Sequence, residues 1–267
     1  MSVKIAFEEV TQVYGDTGKG GGTRALEHFS LEIAERNFVC LLGPSGCGKS
    51  TVLNLAAGFE KPSGGSVLID GKTVTGPGRD RGMVFQEPLL LPWRNVIENV
   101  MLGPCLAGWP KVEALAQARH YLRLTGLERF ERHASYELSG GMRQRVALAR
   151  AWIGEPPVLL MDEPFGALDA QTRLVMQELL LEIWEQTRTT VLFVTHDVDE
   201  ALFLGDRVVV MSASPGRVLL DLAVDLPRPR TEEILTSPRF ADAKRRCLRL
   251  IGEESRRAFG HLEGDGI

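Results

Sequence analysis

The sequence predicts an α/β fold layered around a mostly parallel sheet, and three observations carry that expectation. The apolar run Phe38-Val39-Cys40-Leu41-Leu42 passes directly into Gly43-Pro44-Ser45-Gly46-Cys47 and then Gly48-Lys49-Ser50-Thr51, a strand, glycine loop and helix start in sequence. Val158-Leu159-Leu160-Met161 is unbroken and apolar, which suits a central parallel strand covered on both faces. Between these points, and on to Met211, strand-like and helix-like segments alternate. A chain of 267 residues fits one large domain with a subdomain and a tail.

Val3, Ile5 and Phe7 alternate as a first strand over residues 3–14, and Gly15 to Thr23 reads as a hairpin loop. Phe29, Leu31 and Ile33 form a second strand, and Val67 and Ile69 a third before the Asp70-Gly71 turn. Residues 82–85 make a short strand that ends at Gln86. Pro88, Pro92, Pro104 and Pro110 rule out one regular element from 88 to 110, where a helical insert begins. Beyond it, Val112, Leu115, Ala118 and Leu122 are expected on the inner face of a helix that ends at Gly126. Another helix starts after Leu138-Ser139-Gly140-Gly141 and turns Val146 and Ala149 inward. From Ala170 to Thr187 a helix with Met176, Leu179, Leu180 and Ile183 inward leads to strands at 190–194 and 207–211. Past Pro227-Arg228-Pro229-Arg230 the chain turns polar and closes in a short helical tail carrying Phe240, Ala243, Leu248 and Ile251.

The formal net charge of -4 is spread over both signs, and the longest basic cluster is Lys244-Arg245-Arg246, so no nucleic-acid surface is indicated. The four cysteines form no Cys-x-x-Cys pair and the five histidines are dispersed, which points to a reduced, intracellular chain without zinc or disulfides. Glu8 and Glu9 stand where a signal peptide would need an apolar run, and no run approaches the length to cross a membrane, so the chain is expected neither to be exported nor to span one.

Chemistry concentrates at strand ends. The glycines from Gly43 to Gly48 let backbone N–H groups wrap an anion at a helix N-terminus; Lys49 reaches β- and γ-phosphates and Ser50 ligates Mg²⁺. Asp162 and Glu163 stand at the carboxyl end of the apolar strand, where adjacent acids point in different directions. One holds Mg²⁺ while the other, Glu163, turns to the attacking water. His196 and Gln86 also end strands and suit γ-phosphate and metal contacts. Ser139-Gly140-Gly141 at a helix start is a second anion half-site, best explained if it serves the nucleotide of another copy of the chain.

In order, the phosphate loop, Gln86, Leu138-Ser139-Gly140-Gly141, Leu159-Leu160-Met161-Asp162-Glu163-Pro164, Ala167-Leu168-Asp169 and His196 resemble the nucleotide-binding subunit of an ABC transporter. The resemblance covers residues 3 to about 225, leaving 226–267 as a C-terminal tail, and implies the ABC type of P-loop NTPase core. Added to that core are an N-terminal antiparallel β subdomain and a helical insert near 88–150. It further implies that Tyr14 stacks on the adenine of ATP, that Gln86 and Asp162 complete the Mg²⁺ shell, and that Glu163 is the base. His196 would contact the γ-phosphate, while Ser139, Gly141 and Asp169 would act across a homodimer. Met142 departs from the glutamine common in the motif. Gly76 to Gln86, Leu91 to Val100 and Ser214 to Val218 are similar to importers for nitrate, taurine and aliphatic sulfonates. That likeness implies an integral-membrane permease, a periplasmic solute-binding protein and a peripheral position on the inner membrane. Leu89, Leu90, Leu91 and Trp93 would then meet the permease. The competing expectation, a soluble ABC-type ATPase acting on a macromolecular partner, lacks the coiled-coil insert or basic surface it requires.

Overall fold

The computed structural model describes residues 2–15 and 22–264, with side chains described as far as Arg257. Two compact units divide the chain, one formed by residues 1–78 and 190–267, the other by 79–189. The expected hairpin loop after Gly15 lies for the most part outside the described residues.

The first unit opens with β1 (Val3–Tyr14) and β2 (Thr23–Ala34), an antiparallel pair in which Phe7 is in register with Leu31 and Val10 with Phe29. Alternation decides the pairing: Ile5, Phe7, Val10, Phe29, Leu31 and Ile33 are all buried, and Phe7 meets Phe29 edge-on at 5.4 Å. Next come β3 (Phe38–Leu42), buried at every position, α1 (Lys49–Ala57), β4 (Gly64–Ile69) and β5 (Lys72–Thr73). β4 takes the other edge of β1, and the antiparallel sheet runs β2-β1-β4-β5.

In the second unit the chain makes β6 (Arg81–Val84), α2 (Val96–Val100), α3 (Leu102–Leu106), α4 (Lys111–Leu124), α5 (Gly140–Trp152), β7 (Val158–Asp162) and α6 (Ala170–Thr187). β6 and β7 are parallel, with Gly82 against Leu159. α5 is the hub of this unit, touching α2, α4, α6 and β6 through a buried face that includes Val146, Leu148, Ala149 and Trp152. The proline-broken stretch before α2 is ordered by one side chain. Asn99, fully buried, accepts from the Leu91 N–H at 2.7 Å and donates to the carbonyls of Leu91, Arg94 and Asn95.

Back in the first unit, β8 (Thr190–Thr195), α7 (Val198–Leu204), β9 (Arg207–Met211), β10 (Val218–Ala223) and α8 (Pro238–Gly264) complete the chain. β8 and β9 flank β3 in parallel, and β10 pairs antiparallel on β9.

Three expectations need correction. α4 buries Ala114, Ala118, Tyr121 and Leu122 and leaves Val112 82% exposed. At 3.6 residues per turn Val112 points away from that stripe, and the bulk of Tyr121 sets the inner face. In α6, Leu179 is half-buried while Gln177, Leu181 and Trp184 join the inner face. The tail helix is long, and it buries Phe240, Cys247 and Glu254, two turns apart, while Leu248 stays exposed. It is seated on α7 and β9, and Lys244 meets Asp199 at 2.7 Å. Ahead of it Arg230, 5% exposed, donates to the carbonyls of Leu202, Phe203 and Gly205 at the end of α7, which is why a polar stretch packs here.

Candidate nucleotide site

In the first unit the phosphate loop leaves β3 at Leu42, whose register partners are Thr195 of β8 and Val210 of β9. His196 follows Thr195 directly, so the register brings it to the same sheet edge as the loop, and its side chain is exposed. Gly48 caps α1 with a left-handed φ of 97°, a conformation that favours glycine, and a β-carbon there would lie 2.9 Å from the Ala25 carbonyl. No acidic side chain occupies the first turn of α1, which leaves its positive dipole end to an anion. Lys49 is 6% exposed, and its Nζ donates to the carbonyls of Gly43 and Pro44, each at 2.9 Å. The ammonium is therefore held inside the loop by two neutral carbonyls, which phosphate oxygens can replace with stronger, charge-assisted bonds. Burial pushes the Cys47 thiol up and the Lys49 charge opposes it.

Tyr14, at the end of β1, is anchored through its hydroxyl. The phenol lies 2.5 Å from Glu60 Oε2, to which it donates, and 3.3 Å from Thr51 Oγ1. Burial first, and the Glu60 bond second, raise its pKa, so the ring is neutral and held by α1 and the loop after it. Sequence reasoning missed Glu60, because only the fold brings it to Tyr14.

In the second unit, β7 delivers Asp162 and Glu163, both half-buried. Glu163 has φ 42°, a left-handed conformation strained for a residue with a β-carbon, and its carbonyl accepts from the Gly166 N–H at 3.1 Å. The turn also gathers Gln86. A β-carbon on Gly166 would sit 3.6 Å from Gln86 Nε2 and 3.7 Å from Glu163 Oε2, so the two side chains share one small space.

A separate cavity of about 550 Å³ in the same unit is lined by Ser139, Gly140, Gly141, Arg145 and Asp169, and Gln86 and Glu163 do not line it. Ser139 caps α5, accepting from the Met142 N–H at 3.3 Å, which leaves its own hydroxyl proton to donate. Asp169 caps α6 through the Thr172 N–H at 3.0 Å, and that bond lowers its pKa. Gly141 is tightly placed, since a β-carbon would lie 3.1 Å from the Thr172 methyl, whereas Gly140 faces open space.

A phosphate loop closing a parallel strand, with a strained carboxylate and a glutamine at strand ends, defines a P-loop nucleotide hydrolase. The chain belongs to the ABC transporter family, whose pattern matches residues 26–166, and it is an ATP hydrolase of that transport class. It is 47% identical over 254 residues to an uncharacterized ABC transporter ATP-binding protein of Methanocaldococcus jannaschii, covering 95% of this chain and 93% of that one. The taurine import ATP-binding protein TauB of Rhizobium johnstonii is 52% identical over 230 residues, covering 84% of this chain and 88% of its own. A dimeric ATP-binding cassette, MJ0796, solved in a post-hydrolysis state with ADP and Pi, superposes with a TM-score of 0.73 at 34% identity, covering 84% of this chain and all of that one. Among the described residues no helix is long and apolar enough to cross a membrane.

Proposed function

We propose that the chain is the ATPase subunit of a bacterial importer, acting as a homodimer that closes around two MgATP at the cytoplasmic face of the inner membrane. It drives uptake through an integral-membrane permease supplied by a periplasmic solute-binding protein. The observation that carries the dimer is the cavity holding Ser139, Gly141, Arg145 and Asp169. It combines a helix N-terminus, a hydroxyl donor and a guanidinium, an anion site that the chain's own phosphate loop makes redundant for its own nucleotide. A second copy puts it to use on the partner's nucleotide. The ATPase domain is assigned to residues 3–225, with the insert at 88–150 and a tail at 226–267.

Residues 43–51 take the phosphates, Lys49 neutralises β- and γ-oxygens, and the Tyr14 ring stacks on adenine. Ser50, Gln86 and Asp162 offer a hydroxyl, a carboxamide and a carboxylate, the oxygen donors that Mg²⁺ prefers. When bound, Mg²⁺ spreads the charge of the transferred phosphoryl group. Glu163 orients the attacking water and accepts its proton, and His196 donates to the γ-phosphate.

The solute is a small anion such as taurine, an aliphatic sulfonate or nitrate, and TauB among the relatives favours taurine. Proteoliposomes holding the permease and this subunit, given the binding protein outside and ATP inside, test the assignment. ATP-dependent accumulation of labelled taurine is expected; ATP hydrolysis with no uptake of any of the three solutes overturns the substrate class.

A further inference from the structure

The long tail helix ends its described packing on an unusual contact. Glu254, 5% exposed, accepts from the backbone N–H of Ala213 at 2.9 Å through Oε2, while its other oxygen faces Arg257 at 2.6 Å. Ala213 opens the turn that joins β9 to β10. Ser212 locks that turn: its N–H donates to the Arg217 carbonyl, its hydroxyl donates to the Pro215 carbonyl and accepts from the Arg217 N–H, all at 2.9 Å. Gly216 then joins the turn to β2, donating to the Ala25 carbonyl at 2.8 Å and accepting from the Glu27 N–H at 3.2 Å.

The same glycine lies against the phosphate loop. A β-carbon at Gly216 would fall 2.2 Å from the Cys47 carbonyl oxygen, so backbone meets backbone with nothing between them. Gly48, the next loop residue, packs on Ala25, the residue that Gly216 holds: a β-carbon there would lie 2.9 Å from the Ala25 carbonyl. A continuous path therefore runs from the Glu254 carboxylate, through backbone contacts of the 212–217 turn, to residues 47 and 48. Close-packed interiors transmit small displacements along such paths.

We infer that Glu254 is a positioning residue for ATP, setting the phosphate-loop geometry from the C-terminal helix through Ala213 and Gly216. The inference rests on the assignment of residues 43–51 to the phosphates of ATP. It gives the tail a role in nucleotide affinity. The carboxylate acts as a hydrogen-bond acceptor, so an amide of the same shape keeps the function and a methyl group loses it.

Titration of the purified full chain with a fluorescent ATP analogue, with KM and kcat for ATP measured alongside, tests it. Glu254→Ala leaves the Ala213 N–H without its acceptor and is expected to raise the dissociation constant and KM by about five- to tenfold, with kcat changed less than about twofold. Glu254→Gln is expected within about twofold of wild type on both, because its amide oxygen accepts the same N–H. Phe240→Ala, which deletes the largest buried side chain of α8, lowers the melting temperature while leaving the dissociation constant near wild type. If Glu254→Ala does not fold, Glu254→Asp, too short to reach Ala213, takes its place with the same expectation. Wild-type affinity in a folded Glu254→Ala or Glu254→Asp protein overturns the inference, as does an equal loss in Glu254→Gln or in Phe240→Ala. Failure of the wild-type chain to bind the analogue would instead strike the phosphate assignment itself.

Discussion

Arg150 donates to the carbonyl oxygen of Leu89 at 2.8 Å, and its other terminal nitrogen donates to Pro88 at 2.7 Å. Leu89 has φ 43°, a left-handed conformation costly for a branched side chain, so the guanidinium clamps a strained segment just after Gln86. Burial lowers the Arg150 pKa, and the two carbonyls satisfy the charge that a guanidinium always keeps. Arg150→Ala should cost about 1–3 kcal/mol and lower the melting temperature by a few degrees. Hydrogen exchange should quicken over residues 88–94; unchanged exchange there would show that Asn99 alone holds the segment.

Glu163→Gln keeps the shape and the strained turn but removes the carboxylate proposed as the base. Nucleotide binding should persist, an ATP-trapped dimer should accumulate, and turnover should fall by orders of magnitude. Purified Glu163→Gln protein with wild-type turnover would take Glu163 out of the role.

Ser139 tests the second half-site. Ser139→Arg should abolish hydrolysis while monomer affinity for ATP stays near wild type, and mixing with a Lys49→Ala chain should give dimers with at most one intact composite site. A matching loss of affinity in the monomer would assign Ser139 to its own nucleotide. Met142→Gln should change little, because Ser139 is capped by the backbone N–H of residue 142, which the substitution keeps.

The phosphate loop, β7 and the strand-end residues were legible because their chemistry is local: a strand, a turn and a helix start are contiguous in sequence. The elements around them were legible where the apolar pattern is plain, as alternation in β1 and β2 and as an unbroken apolar run in β8. Val112 misled because a valine in a first turn carries apolar character without a surface to meet. Glu60 at Tyr14, Arg150 at Leu89 and Glu254 at Ala213 were invisible for a different reason. Each is a charged side chain whose partner lies 41 to 61 residues away, as in Glu254 and Arg150, and no spacing rule announces such pairs.

Cysteine chemistry gives a pH-dependent prediction. Cys105 is exposed, whereas Cys40, Cys47 and Cys247 are buried, so Cys105 should alkylate first under native conditions. Burial pushes the Cys247 thiol from 9.0 up to about 11, so the fold favours its neutral form. That contribution to stability is complete below about pH 9 and disappears as pH rises through about 11. Tyr121, raised to about 12 by burial, acts in the same direction at higher pH. Urea melts at pH 8, 10 and 11 should show falling stability, with a shallower fall in Cys247→Ala; an unaltered slope would remove Cys247 as a contributor.

The proposed permease would be reached through the segment after Gln86. Its side chains divide sharply: Asn99 and Arg150 fix the backbone from inside, while Trp93 is 76% exposed and Leu89 is 53% exposed, with Leu90 half-buried between them. An exposed tryptophan on a pinned backbone forfeits its apolar burial in the isolated chain, and a docked partner would recover it. A core role for Trp93 is inconsistent with that exposure. Replacing Leu90 and Trp93 with polar residues should leave the basal ATPase of the isolated subunit largely intact, because neither side chain is assigned to the nucleotide. Co-purification with the permease should weaken and uptake should be lost. A double variant that unfolds would return Leu90 to the core of the insert, and one that folds, assembles and transports normally would place the coupling surface elsewhere.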